Sequence, residues 1–541
     1  MNTTESATPA LNRARRRPLA RSGSALGGAG ILVAGSAAAL LTAFAGSAGA
    51  TSTITVDSNG DGNVDPTHCL DGTPYNCTLR DAALAAVDGD TITFDPSIAN
   101  ITLTNGTITT QAVNITGPGA AALTITTAGA PGLYDLFEIS GTGNAVISGL
   151  TITKNRVKAL NDGMFTLDGV TISGSTGAYG GALYALNGSE LEIKNSRFEN
   201  NTGTSNAGAV YIYTGHDATI SGSVFTNNHA DSKGGAVFTE SSNNITITNC
   251  TVTGNTATKD GGGLSLSPSY AGAVVLITDT TIDANVADRW GGGINFESGG
   301  VTVNISNSTV SNNSATATGG ILFNDTNITA TINNSTISAN AATVYGGGGV
   351  YINKSSSLTI NQSTISENSA AGTTFKYGGG GILMGDNTSV VTMSGTIVSG
   401  NTSGLAGAGD IGLYSPYLGD TSSFTATHSL IGEVDTRIHE NDPLFVAPVS
   451  SNLHRPDPML SALADNGGPT KTMAPQPGSP AIDHGPNPVA TFTGNSFDQR
   501  GTPWVRIYGR ASDIGAVEVQ PDPNSTTTTA TEEPVAPAFT G

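Results

Sequence analysis

The stretch TISANAATVYGGGGVYI (residues 336–352) is written almost without charge or bulk and carries four consecutive glycines. Near copies recur as TVTGNTATKDGGGLSL (251–266), TIDANVADRWGGGINF (281–296), TVSNNSATATGGILF (309–323) and TISENSAAGTTFKYGGGGILM (364–384). Aligned on the apolar residue ahead of each asparagine, the copies fall at Phe198, Phe225, Val252, Ile282, Val310, Ile337, Ile365 and Val398. The steps are 27, 27, 30, 28, 27, 28 and 33 residues. A period in this range marks a stacked repeat architecture.

Inside one repeat there is no helical periodicity. Three short alternating runs stand instead, as in GAVFTE, NITITN and CTVTG within 235–254, each bounded by Gly, Asn or Ser. The pattern predicts an all-β chain: a right-handed, single-stranded parallel β-helix with three short strands per coil, capped at both ends. Inward side chains must then stack on like neighbours coil after coil, which explains two polar columns. Three residues past each anchor stands Asn201, Asn228, Asn255, Asn285, Asn313, Asn340, Asn368 or Asn401. An asparagine there tolerates a left-handed turn, and stacked amides bond along the column. Two residues before the anchor stands Ser196, Ser223, Cys250, Thr280, Ser308, Ser335 or Ser363, so Cys250 reads as a small buried filler. The glycines fit a corner that needs positive φ or close approach between coils.

The composition agrees. Only 12% of the 541 residues are charged, 71 are glycine, and the net charge is −20. Beyond residue 50 there are 17 basic residues against 41 acidic ones, a surface that repels nucleic acid and anionic lipid. Residues 1–50 read as a signal peptide, with an uncleaved membrane anchor as the alternative, since their apolar run is long enough to span. Arg13, Arg15, Arg16, Arg17 and Arg21 precede the apolar run ALGGAGILVAGSAAALLTAFA (25–45), and Ala48-Gly49-Ala50 supplies small residues for cleavage. Export permits a disulfide between Cys69 and Cys77. The expected organisation is a signal peptide (1–50), an N-terminal cap with a short helix (51–100), the β-helix (101–435), a C-terminal region (436–520) and a Thr/Pro-rich tail (521–541). No membrane span is expected in the mature chain, which is read as a monomer.

Three resemblances follow from motifs. Phe-x-x-Asn (198–201, 225–228) with Gly-Gly-Ala-Leu/Val (180–183, 234–237) resembles the polymorphic outer-membrane-protein repeats of bacterial surface β-helices. The run CTLRDA (77–82) followed by DTITFDPSI (90–98) is similar to the N-terminal cap of secreted β-helix proteins. DPLF (442–445), LADNGGPT (463–470), GSPAID (478–483), DQRG (498–501) and DIGAVE (513–518) resemble the choice-of-anchor Q domain of secreted bacterial proteins. These resemblances imply an exported or cell-surface bacterial protein. Asp498, Arg500, Asp513 and Glu518 of the last motifs read as buried ion pairs that fix a cap, with acid/base roles as the alternative.

Candidate sites are sparse. In VDSNGDGNVDPTH (56–68), Asp57, Asn59, Asp61 and Asp65 take the spacing of a calcium loop, although His68 stands where a bidentate Glu belongs. The same residues also read as a plain Asp/Asn/Gly turn series. Ahead of the glycine corner stand Tyr179, Trp290, Tyr345 and Tyr377, flat rings able to stack on sugars, of which Trp290, Tyr345 and Tyr377 are the expected ligand-binding strip. Other coils place Lys233, Asp260 and Thr318 there, which interrupts the strip. No motif for nucleophilic, metal or paired-carboxylate catalysis stands in the repeats, so no catalytic residue is assigned. The function expected is a non-catalytic, adhesin-like binder of extracellular polysaccharide or of a host or cell-surface protein. The alternatives are a polysaccharide lyase or glycoside hydrolase of the pectin-lyase-like fold, and a structural spacer of the cell envelope.

Overall fold

The computed structural model describes residues 51–522 except 63, 71–73, 75, 187–189, 214, 216, 241, 271, 374–377, 386–387, 407–408, 414–421 and 435–450. The expected signal peptide, Tyr377 and nearly all of the expected tail lie outside the described residues.

The repeat folds into a right-handed parallel β-helix. One coil runs through Leu191–Lys194, Arg197–Glu199, Thr202–Asn206 and Val210–Tyr213. Each of these strands pairs in parallel with its counterpart in the next coil. Repetition builds a first sheet of 14 strands, a second of 14, a corner ladder of nine and a third sheet of 12 among the described residues. The corner ladder is a fourth element beyond the three strands expected. It is mostly two residues long, as in Thr256–Ala257, too short to show an alternating pattern in sequence.

Inward positions form continuous stacks. Phe198 lies over Phe225 with ring centroids 4.8 Å apart, and Phe296 over Phe323 at 5.1 Å, each pair inclined by 6°. These distances are the coil spacing itself, about 4.8 Å. The asparagine column is buried and bonded as expected. Asn201 Nδ2 donates to Asn228 Oδ1 at 2.9 Å and to the Ile172 carbonyl, while Asn228 Oδ1 also accepts from the Asn201 backbone N–H. The left-handed turn, however, sits one residue earlier than expected, at Asn200 (φ 55°), Asn227 (53°), Ala284 (55°) and Asn312 (56°). The earlier residue turns the corner, which frees the column residue to point its amide inward along the axis. The small-polar column is a ladder too: Ser223 Oγ donates to the Ser221 carbonyl and accepts from the Ser196 N–H. Cys250 occupies one rung, its Sγ 3.2 Å from the Thr248 carbonyl, and burial pushes its thiol up to about 11.

The glycine corner needs both properties expected of it. Gly234 has φ 70°. A Cβ on Gly235 would lie 2.0 Å from the Gly262 carbonyl oxygen of the next coil.

At the N-terminal end, Thr53–Val56 already pairs with Thr91–Phe94, so the first sheet begins inside the segment expected as a cap. The helix Leu79–Ala85 follows a capping box in which Thr78 and Asp81 bond each other's backbone N–H. Cys69 and Cys77 are joined by a disulfide of 2.03 Å. The C-terminal region beyond residue 450 lies along the flank of the solenoid. Outward hydroxyls of successive second-sheet strands receive it: Thr309 Oγ1 bonds the Lys471 carbonyl, Thr336 Oγ1 bonds Gln499 Oε1, Thr364 Oγ1 accepts from Ala516 N, and Ser399 Oγ donates to the Arg455 carbonyl. Within it Arg500 pairs with Asp498 at 2.5 Å and lies 3.6 Å from the Trp504 ring centroid. The fully buried Arg506 donates to Asn334 Oδ1 at 2.6 Å, tying this region to the solenoid.

Candidate functional site

The calcium reading fails a fit test on its own donors. Asp61 Oδ1 accepts from Arg80 Nε at 2.7 Å, and its Oδ2 accepts the backbone N–H groups of Thr104 and Asn105. These bonds hold its carboxyl below the ordinary range against the upward pull of burial. Asp57 accepts from the Cys77 N–H, and Asp65 caps the short 3-10 turn Pro66–Cys69 through Thr67. Asn59 is exposed. The loop is stapled to the helix by an arginine. Among the described residues no three His, Cys, Asp or Glu side chains are grouped to hold a metal ion.

The third sheet brings chemistry together. Its strands alternate, so the residue between two core residues points outward. That outward column reads Glu138, Lys158, Tyr184, Tyr211, Phe238, Ser265, Asn295, Leu322, Tyr351 and Leu383 in coil order. At one end the aromatic residues form a patch. Tyr179 and Tyr184 each lie 5.3 Å from Tyr211, Tyr213 lies 6.3 Å from it, and Phe238 packs at 5.4 Å. Tyr211 and Phe238 are floor residues at 4% exposure, whereas Tyr179 and Tyr213 stand at 42% and 43%. Arg156 lies 5.3 Å from the Tyr184 ring centroid and is neutralised by Asp135 at 2.6 Å. Tyr211 donates its hydroxyl to Glu240 at 2.5 Å, and burial together with that bond pushes its pKa well up.

Next along the face comes an ion network. Arg289 pairs with Asp260, whose side chain is nearly inaccessible. Lys233 Nζ lies 2.5 Å from Glu297 Oε2 and 3.9 Å from Asp260 Oδ2, and Asn295 Nδ2 donates to Glu297 Oε1 at 2.6 Å. Two acids and two bases therefore compensate one another. Trp290 stands beside the network, its ring centroid 5.7 Å from the Arg289 guanidinium, and packs against the edge of a cluster formed by Leu322, Tyr351 and Leu383.

Of the expected sugar strip, Trp290 lies on this face, Tyr345 is half-buried at a later glycine corner, and Tyr377 lies outside the described residues. The reading from sequence missed Tyr184, Tyr211, Tyr213 and Phe238. A signal existed: aligned on the glycine corner rather than on the asparagine, Tyr184, Tyr211 and Phe238 recur at steps of 27 and 27.

The solenoid and this lateral face define the chain as a right-handed parallel β-helix protein with a mixed aromatic and charge-compensated surface strip. Residues 87–263 and 139–337 match the family described as "Right handed beta helix region". No curated protein matches the chain. Among solved structures it is similar to a PL6 alginate lyase in complex with a trisaccharide, at 13% identity over 75% of this chain and 84% of that one, with a TM-score of 0.36. It is also similar to the A-module of the Azotobacter vinelandii mannuronan C-5 epimerase AlgE6, at 14% identity over 64% of this chain and 91% of that one, with a TM-score of 0.22.

Proposed function

We propose that the protein is an exported, polysaccharide-binding β-helix whose ligand lies along the outer face of the third sheet. The observation that carries this reading is the Tyr179, Tyr184, Tyr211 and Tyr213 patch continuous with the ion network. The exposed Tyr179 and Tyr213 rings, above a buried Tyr211 floor, offer apolar faces to pyranose rings. A strip that grows along the coil axis suits a polymer better than a small molecule. The basic and apolar run of residues 1–50 and the resemblance of residues 440–519 to choice-of-anchor Q domains support an extracellular or cell-surface setting.

The second reading, polysaccharide cleavage, draws on the Asp260 and Glu297 carboxylates. Both are held by cations, Arg289 and Lys233, which favours binding over proton transfer.

The test is incubation of the full chain on an array of neutral and acidic polysaccharides, with retained protein and released products read together. Retention that falls at least fivefold for Tyr179→Ala or Tyr213→Ala, without products, is the expected result. Both side chains are substantially exposed, so these variants keep the fold. Product release would move the protein to the cleaving class, and absence of any retention would end the polysaccharide reading.

A further inference from the structure

The ion network covers polar atoms that have nothing to bond. Ser265 and Asn295 are adjacent in the outward column, and both are fully buried. Ser265 Oγ and Asn295 Oδ1 have no hydrogen-bond partner, and neither do Trp290 Nε1 and Thr318 Oγ1 one corner away. Orphaned polar groups are few in a native fold, and each is destabilising. Four within successive coils on one side of the solenoid need a reason.

The glycine corners pack beside them, Gly261 against Ser265 and Gly291 against Asn295, and a flexible side chain reaches across from the preceding coil. Gly234 N–H bonds the Asp260 carbonyl, and Asp260 bridges to Trp290, so Lys233, Asp260 and Trp290 belong to three successive coils. Lys233 nevertheless reaches Glu297, in the same coil as Trp290. Its aliphatic stem therefore crosses the intervening coil, which carries Ser265. A lysine stem is a movable strap, because its ammonium end exchanges one oxygen partner for another without loss of charge compensation.

We propose that Ser265 and Asn295, beneath the Lys233–Glu297 strap, form a subsite for the hydroxyl groups of an uncharged glycan, opened when the strap swings aside. The ligand class follows from charge. Asp260 and Glu297 already balance Lys233 and Arg289, the chain carries a net charge of −20, and a uronate would meet no spare cation in this network. A neutral sugar offers both donors and acceptors, which Ser265 Oγ, Asn295 Oδ1 and Trp290 Nε1 together require. The inference rests on the third-sheet face being the polysaccharide-binding face and specifies where, and for which polymer, it is selective.

The test is calorimetric titration of the full chain with hexasaccharides of glucose, mannose, xylose and galactose, and with hexasaccharides of uronic acids, alongside thermal unfolding. Ser265→Ala deletes an orphaned hydroxyl and no existing bond. It is expected to bind the preferred neutral hexasaccharide about five- to tenfold more weakly while unfolding at or above the wild-type temperature. A purely structural serine would not separate the two readouts in that direction. Lys233→Met keeps the stem but releases Glu297, and is expected to bind at least as tightly as wild type. Wild-type affinity in Ser265→Ala, with weakened binding in Tyr179→Ala, overturns the subsite and leaves the face. Weaker binding in Lys233→Met overturns the strap. Preference for the uronic hexasaccharides overturns the neutral ligand, and no binding by any hexasaccharide overturns subsite and face together.

Discussion

Asn401 Nδ2 donates to Asp410 Oδ1 at 2.7 Å, so a column of eight buried asparagines ends on a carboxylate. Each amide in the column has an amide as its next acceptor until the last, because the following coil, through Leu430–Ile431, carries Val434 where the next asparagine would stand. The Asp410 carboxylate accepts in its place. Asp410 also accepts the backbone N–H groups of Asn401 and Glu433.

The terminal carboxylate makes stability depend on pH. Burial, assisted by nearby Glu433, pushes Asp410 up to about 6 despite its hydrogen bonds, and burial beside Asp513 pushes Glu518 up to about 7. Unfolded Asp and Glu titrate near 3.9 and 4.3. Between those values and 6 to 7 the folded state holds more protons than the unfolded one, so folding becomes more favourable as pH falls. Asp410 alone contributes about 3 kcal/mol to this change. Thermal unfolding is expected at a higher temperature at pH 5 than at pH 8. Below about pH 4 the trend reverses, because Asp61, Asp90 and Asp95 are held below their ordinary values. In Asp410→Asn the rise across pH 6 should shrink; an unchanged profile would remove Asp410 as its source.

Two glycines at different turns of the coil separate conformational from steric demand. Gly169 has φ 61° with nothing within 4 Å of an added Cβ, whereas a Cβ on Gly235 would lie 2.0 Å from the Gly262 carbonyl oxygen and 2.7 Å from Thr256. Gly169→Ala is expected to destabilise by about 1–2 kcal/mol, the left-handed penalty alone. Gly235→Ala should exceed about 3 kcal/mol, because backbone on both sides must part. Urea unfolding of the two variants measures the difference. Equal effects would show that the coils spread freely.

The period, the stacked core and both polar ladders were legible because each depends on residues that recur at the coil length. Asn228 and Ser223 show themselves only through their neighbours 27 residues away, and alignment supplies those. What stayed hidden depends on contacts without a period. Asp61 reads as a calcium ligand until Arg80, on a separate helix, takes its carboxylate. Thr309, Thr336 and Thr364 look like solvent-facing hydroxyls until a segment 150 to 190 residues away covers them. The outward tyrosines escaped for another reason. The repeat is conspicuous at its inward positions, and alignment on those positions draws attention away from the column that faces out.

That docked segment hangs on Gln499. Its Nε2 donates to Thr309 Oγ1 at 2.9 Å and to Thr470 Oγ1 at 3.0 Å, and its Oε1 accepts from Thr336 Oγ1 at 2.6 Å. The side chain is fully buried and joins two coils to the C-terminal region. Gln499→Leu fills the same space but leaves the Thr336 hydroxyl unmatched and strips one donor from Thr309, which keeps only the Lys471 carbonyl, at about 1–3 kcal/mol. Hydrogen exchange should then quicken across residues 455–519 while the solenoid core at residues 245–305 keeps its protection. Uniform loss of protection would mean that the segment and the solenoid unfold as one unit.

The Asp61 staple gives opposite expectations for a metal loop and for an ion-paired loop. In the structure its side chain is 1% exposed, and both oxygens are taken by Arg80, Thr104 and Asn105. A calcium ion would have to displace the guanidinium and strip two backbone donors, whose orphaning is destabilising in turn. A chelator is therefore expected to leave the thermal midpoint unchanged, and added calcium to raise it by less than 1 °C. Asp61→Asn keeps one acceptor oxygen but leaves Arg80 without its charge partner, at about 3 kcal/mol, with or without calcium. The Arg80 guanidinium would still hold the carbonyls of Gly106 and Thr107, so the loss should centre on the loop at residues 57–68, read as faster proteolysis there. A calcium-dependent midpoint in the wild type, abolished in Asp61→Asn, would reverse the assignment and restore the loop as a metal site.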